Sequence, residues 1–185
     1  MIIAVIAAGV VIVLLILLYN SLVRKKNQVE TAFSTIGVLL KKRFDLLPNL
    51  VKMVQRYMQH EADVLTELTD MRTKAVPGHM DENQAVDLDR KASQAIGRIM
   101  VAVENYPDLK ASRNFLDLQG SLNELEEQIS AARRAYNASV LDYNNAMEMF
   151  PSNIMAGLMR YRKKVFFEVA AQEKNAMDVG ELFAS

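Results

Sequence analysis

The sequence contains no cysteine. Its absence excludes disulfides, thiolate nucleophiles and zinc-finger spacings, and it fits a reducing cytoplasm. Histidine is scarce as well. His60 and His79 are the two in the chain; no second His lies four residues from His60, and no Glu-x-x-His pair of the di-iron kind occurs. There is no glycine-rich phosphate loop and no G-x-S-x-G. With these constellations missing, the chain reads as a non-enzyme without metal or cofactor. A charge of one sign is lacking too: 22 Lys and Arg balance 22 Asp and Glu. No basic stripe interleaves with aromatics, so nucleic acid is excluded as a partner.

Apolar residues are abundant, at 51% of the chain. Residues 1–23, "MIIAVIAAGVVIVLLILLYNSLV", carry no charged side chain and would reach about 34 Å as a helix, enough to cross a hydrocarbon core of about 30 Å. A cleaved signal is excluded, because no basic residue precedes the run, the run is too long, and no small-x-small site follows it. Arg24, Lys25 and Lys26 come directly after it. The positive-inside rule therefore places the N-terminus outside and the body from residue 27 onward in the cytoplasm, with Tyr19, Arg24, Lys25 and Lys26 at the membrane interface. Ala4 and Ala8, four apart, offer the anchors a small-residue contact.

Beyond the anchor, apolar residues recur at alternating steps of three and four, the mark of a heptad seam. The first seam runs Val29, Phe33, Ile36, Leu40, Arg43, Leu47, Leu50, Val54, Tyr57, Glu61, Val64, Leu68, Met71, Ala75 and stops at Val76-Pro77-Gly78. A second follows Asp81-Glu82 through Ala85, Leu88, Ala92, Ala95, Ile99, Ala102 and Tyr106, widened by Ile96 and Val103. Its alanines allow close approach of neighbouring helices. A third runs Phe115, Leu118, Leu122, Leu125, Ile129, Ala132, Tyr136, Ser139, Tyr143, Ala146, Phe150 and ends at Pro151. Ser152 is placed to cap a shorter fourth helix. The expected fold is all-α: a single N-terminal transmembrane helix (1–23) continuing into an elongated antiparallel bundle (24–170) of three long helices and a shorter fourth, with a tail at 171–185. No linker or repeat divides the body. The first and third helices should run about 70 and 60 Å against about 35 Å for the second, so a second protomer is expected to cover part of the long seams.

The residues that break pattern are the candidate interface. Pro48 costs roughly 3 kcal/mol inside a helix. With Asp45 and Asn49 it lies on the face away from the seam, which implies a kink, a restarted helix capped by Asp45, or a contact with another subunit. Arg43 and Glu61 are charges within the first seam, too far apart along it to pair, so each either takes a partner from another helix or chain or snorkels at the bundle edge. Asn137 and Asn144, seven apart on one row with Asn123, suggest buried amides bonding across a wet interface, beside Tyr136 and Tyr143, the alternative being a neutral surface strip.

Taken together, "YNSLV" after the anchor, "RFDLLPNLV" followed by Tyr57 and His60-Glu61, "YPDLKAS", and Arg133, Tyr136-Asn137, Val140, Tyr143-Asn144 and Phe150-Pro151 resemble the LemA family of bacterial membrane-anchored helical proteins. The resemblance covers most of the chain. It implies one N-terminal span, an elongated bundle, bacterial origin and no established enzymatic activity. A family member associated with magnetosome membranes favours membrane shaping; others, encoded beside membrane proteases, favour envelope quality control. The expected function is a non-enzymatic scaffold of the bacterial inner membrane, self-assembling into a homo-oligomer through Arg43, Asp45, Pro48, Asn49, Glu61, Tyr136, Asn137, Tyr143 and Asn144. The alternative is a cytoplasmic module that recruits another membrane protein through its Asn/Tyr face.

Overall fold

The computed structural model describes residues 1–57, Thr66 and 81–167. Among them are five helices and no strand: α1 (Ile2–Val54), α2 (Glu82–Val103), α3 (Pro107–Lys110), α4 (Arg113–Glu148) and α5 (Ser152–Leu158). The all-α reading with one long apolar N-terminal helix and a bundle is thereby met.

The 53 residues of α1 form one uninterrupted helix, about 80 Å long. Its apolar run through Leu17 is exposed throughout, and burial begins at Leu22. Val29, Ile36, Leu40, Arg43, Leu47, Leu50 and Val54 then turn inward as the seam requires. Pro48 does not restart the helix. It forfeits the hydrogen bond to the Phe44 carbonyl, but Phe44, Leu47 and Leu50 around it are almost fully buried, and at about 1.5–3 kcal/mol per buried side chain their packing holds the helix through the gap. Asp45 is thus mid-helix and exposed, not a cap. The helix ends earlier than the seam suggested: Gln55–Tyr57 form a turn and Tyr57 is exposed. The remainder of that seam, with His60, Glu61 and His79, lies outside the described residues.

The start of α2 is a capping box. Asp81 accepts from the Gln84 backbone N–H (2.8 Å), and the Gln84 side chain accepts from Asp81 N–H (3.2 Å), so two orphan donors are satisfied reciprocally. The inward face of α2 is Ala85, Leu88, Ala92, Ala95, Ile96, Ile99 and Val103, with Asp89 among them. Pro107 opens α3 at its first turn, where it needs no donor, and Leu109 of α3 is buried.

Along α4 the seam holds from Phe115 to Tyr136, then passes from Ser139 to Val140, the drift expected when a helix of 3.6 residues per turn is not bent to a strict heptad. Phe150, expected on the seam, is 80% exposed, because α4 stops at Glu148. Ser152 is not a cap for α5; its hydroxyl reaches back to the Ala146 (2.6 Å) and Met149 (2.9 Å) carbonyls at the end of α4, groups that a helix end leaves unpaired.

Two contacts fix the pairing of α1 with α4. The Phe33 and Tyr136 rings lie 5.9 Å apart and Arg43 meets Glu126 at 2.8 Å, ten residues on along α1 and ten back along α4, so the helices are antiparallel in even register. Extending that register places Glu148 level with Ser21 and Arg113 level with Arg56. The helix α4 therefore matches the body of α1 end to end, while α2, with 22 residues against the 36 of α4, stays the short member as expected. A single core, from Val29 through Leu88 and Ile99 to Val140 and Phe167, runs through the bundle.

Candidate functional site

Two polar constructions interrupt this core. The first joins three helices at mid-bundle. Arg43 of α1 donates to Asp89 (3.1 Å) and Ser93 (3.0 Å) of α2 and contacts Glu126 of α4 (2.8 Å). Arg133 of α4 pairs with Asp89 and lies 3.8 Å from Glu126. Two guanidiniums and two carboxylates thus cancel in charge. Arg43 and Asp89 are 4% and 2% exposed, a depth at which either one alone would be costly. Burial pushes the Asp89 carboxyl above its ordinary range, against the pull of Arg133 and Arg43. The Nε groups of Arg43 and Arg133 are buried without a hydrogen-bond partner.

The second construction receives the end of the described chain. After α5, residues 161–167 leave helical geometry and run along α4 in the opposite direction. Asn144 donates to the Lys164 carbonyl (2.9 Å) and accepts from the Lys164 N–H (2.9 Å). Asn137 does the same with Phe167, at 3.0 and 2.8 Å. Alternating with these along the segment, the hydroxyls of Tyr143 and Tyr136 donate to the carbonyls of Arg162 (3.2 Å) and Val165 (3.0 Å). The spacing has a geometric cause: seven residues of helix rise about 10.5 Å, and three residues of extended chain cover about 10 Å. Two Tyr-Asn pairs seven apart therefore address extended chain at positions three apart, the tyrosines at Arg162 and Val165 and the asparagines at Lys164 and Phe167, each amide standing in for a neighbouring strand's peptide group.

Phe167 closes the ladder. It meets Tyr136 edge to face at 6.2 Å and lies under the Arg133 guanidinium at 5.5 Å, linking ladder to ion cluster. Burial raises the Tyr136 hydroxyl to about 12, helped by Glu82, and raises Tyr143 as well.

Of the residues singled out from the sequence, Arg43, Tyr136, Asn137, Tyr143 and Asn144 are brought into these two constructions, and their polar partners come from the same chain. The Asn row had pointed toward another molecule; the chain's own extended segment supplies what those amides need. Asn123 of the same row is exposed. Asp45 and Asn49 lie exposed on the outer face and Pro48 is half-buried. At the other end of α1, Tyr19 and Arg24 are exposed, while Lys26 contacts Glu30 (3.5 Å) and sits 5.5 Å from the Tyr161 ring; Lys25 is half-buried. The sequence reading missed Asp89, Ser93, Glu126 and Arg133 as partners. Asp89 was findable: it stands four residues from Ala85 and three before Ala92, on the α2 seam, where a carboxylate answers the unpaired Arg43. Among the described residues no group of His, Asp and Glu is arranged to hold a metal ion.

Fold and site together define a membrane-associated helical protein whose buried polar groups fasten its elements to one another. The chain belongs to the LemA family, whose family model matches residues 32–180. It is 27% identical to Protein LemA of Metamycoplasma hominis, over 88% of this chain and 74% of that protein. It is 26% identical to Magnetosome protein MamQ 2 of Paramagnetospirillum magneticum, over 96% and 73%, and 23% identical to Magnetosome protein MamQ of Magnetospirillum gryphiswaldense, over 83% and 65%. Neither the family nor these relatives carries an enzyme's name.

Proposed function

We propose that the protein is a non-enzymatic scaffold of a bacterial inner membrane. Residues 2–23 cross the bilayer with the N-terminus outside, the bundle stands in the cytoplasm, and copies gather laterally to organise or shape the membrane. The observation that carries this reading is the continuity of α1, which passes from apolar run to bundle core without a break and so couples the bundle rigidly to its anchor. The likeness to proteins named for the magnetosome adds support. Since the described seams are buried within one chain, gathering falls to what remains outside: Ala4 and Ala8 on the anchor, and the outer face of α1 with Asp45 and Asn49.

Electron microscopy and light scattering of the detergent-solubilised protein test this. Particles holding several copies are expected; single copies in every detergent tried would overturn the scaffold. A recruiting role is favoured by one observation, the Tyr-Asn ladder, which is built to take extended chain. A partner would have to displace residues 162–167, and capture of a foreign membrane protein by crosslinks from Asn137 and Asn144 would favour that role instead.

A further inference from the structure

We propose that the α4–α5 turn and α5 form a second membrane contact, an apolar tip that enters the headgroup layer of an anionic leaflet beside the anchor. The proposal rests on the reading that residues 2–23 cross the bilayer. The even register of α1 and α4 puts Glu148 level with Ser21, and hence Met149 and Phe150 level with Asn20 and Tyr19, where the apolar run of α1 gives way to charge. The chain then returns along α1: Leu22 and Ala156 are both buried, α5 packs on α1, and Tyr161 has climbed to the level of Lys26. The chain between Phe150 and Arg160 thus leaves from and returns to a slab about 10 Å deep at the end of the anchor.

Within that slab Met149, Phe150, Ile154 and Leu158 are 64%, 80%, 57% and 73% exposed. Four large apolar side chains on a helix hairpin, left mostly uncovered by the described residues and level with the edge of a membrane span, have the composition of an interfacial element. The charges agree. Arg160 and Arg162 are exposed at the upper rim of the slab and Arg24 is exposed on α1 two residues before Lys26, while the Glu148 carboxylate is paired with Lys163, so a basic collar is left at the height where anionic headgroups lie. Arg160 also holds a positive φ of 52°. It closes α5 with Tyr161 N–H bonded to the Ala156 carbonyl (3.1 Å) and its own N–H to Gly157 (3.1 Å). Glycine takes that position without strain; an arginine there places a cation at the rim at a conformational cost.

The chain has no tryptophan, so a single introduced Trp reports its own depth. The full-length variants Val13→Trp, Val101→Trp, Ile154→Trp and Leu158→Trp change exposed positions and would be reconstituted in vesicles of phosphatidylethanolamine and phosphatidylglycerol. The vesicles carry spin labels at the head end or the tail end of the acyl chains. Val13→Trp should lose emission to tail-end labels, and Val101→Trp, on the far part of α2, to neither. The proposal requires Ile154→Trp and Leu158→Trp to shift to the blue and lose emission to head-end labels, less so when phosphatidylcholine replaces the anionic lipid. If Val13→Trp is quenched while both tip positions behave like Val101→Trp, the tip proposal fails and the anchor stands. A blue shift at the tip without quenching means that protein, such as a second copy, covers it, and also overturns the proposal. An unquenched Val13→Trp removes the spanning anchor and the tip contact together.

Discussion

At the scale of single residues the bundle depends on a few side chains whose burial leaves them no alternative partner. Arg43 holds Asp89, Ser93 and Glu126 at once. Removing it leaves Arg133 as the one cation against two carboxylates, the buried Asp89 among them, so Arg43→Ala should destabilise the chain by about 3–5 kcal/mol, whereas Lys42→Ala, one position away and exposed, should stay within about 0.5 kcal/mol. Guanidinium unfolding of the solubilised protein, followed by circular dichroism, separates the two. Tyr136 gives a pH dependence. Its hydroxyl is raised to about 12 in the fold against about 10 in an unfolded chain. Between these values the unfolded state releases a proton that the folded state keeps, so stability falls as pH rises. The contribution is complete below pH about 10 and is lost as pH climbs toward 12. Melting temperatures across that range should fall more steeply for the native sequence than for Tyr136→Phe. The phenylalanine variant, lacking the bond to Val165, should be about 1 kcal/mol less stable at neutral pH.

At the scale of elements, α1 and α4 make a matched antiparallel pair, and the segment 161–167 is held by side chains rather than by a sheet. Each Asn amide satisfies both polar groups of one peptide position. Truncating it leaves those groups without a partner, at about 1–3 kcal/mol. Asn137→Ala and Asn144→Ala should therefore speed hydrogen exchange at Phe167 and Lys164 respectively, while amides in the middle of α4 keep their protection. Loss of protection throughout α4 would show instead that the ladder supports the whole bundle. The heptad reading placed α2 and α4 well because their apolar spacing is local. It misjudged where the seams of α1 and α4 end for a physical reason: Tyr57 and Phe150 have the right spacing, but whether a spaced residue is covered depends on where its neighbours stop.

At the scale of the molecule, α1 is the one element shared by anchor and bundle. Inserting a single alanine between Asn20 and Ser21 turns the anchor by about 100° relative to the bundle and leaves the packing from Leu22 onward in register. If anchor and bundle act as one rigid body, the solubilised particle should change its copy number or disperse, with helix content unchanged by circular dichroism. An unaltered particle would mean that the junction does not transmit orientation. The same rigidity holds the apolar tip at a fixed height beside the anchor.

The sequence by itself determined what depends on near neighbours: an apolar run of membrane length, three seams, the stops at Pro107 and Pro151, and the need of Arg43 for an opposite charge. Only the tertiary structure decided which carboxylates answer it and that Tyr-Asn pairs seven apart grip an extended segment of the same chain. It also showed that α4 ends level with the edge of the anchor. Helical periodicity records which face of a helix avoids water, but not what covers that face; that is set by the register between elements distant in the chain, which even spacing along one helix leaves open.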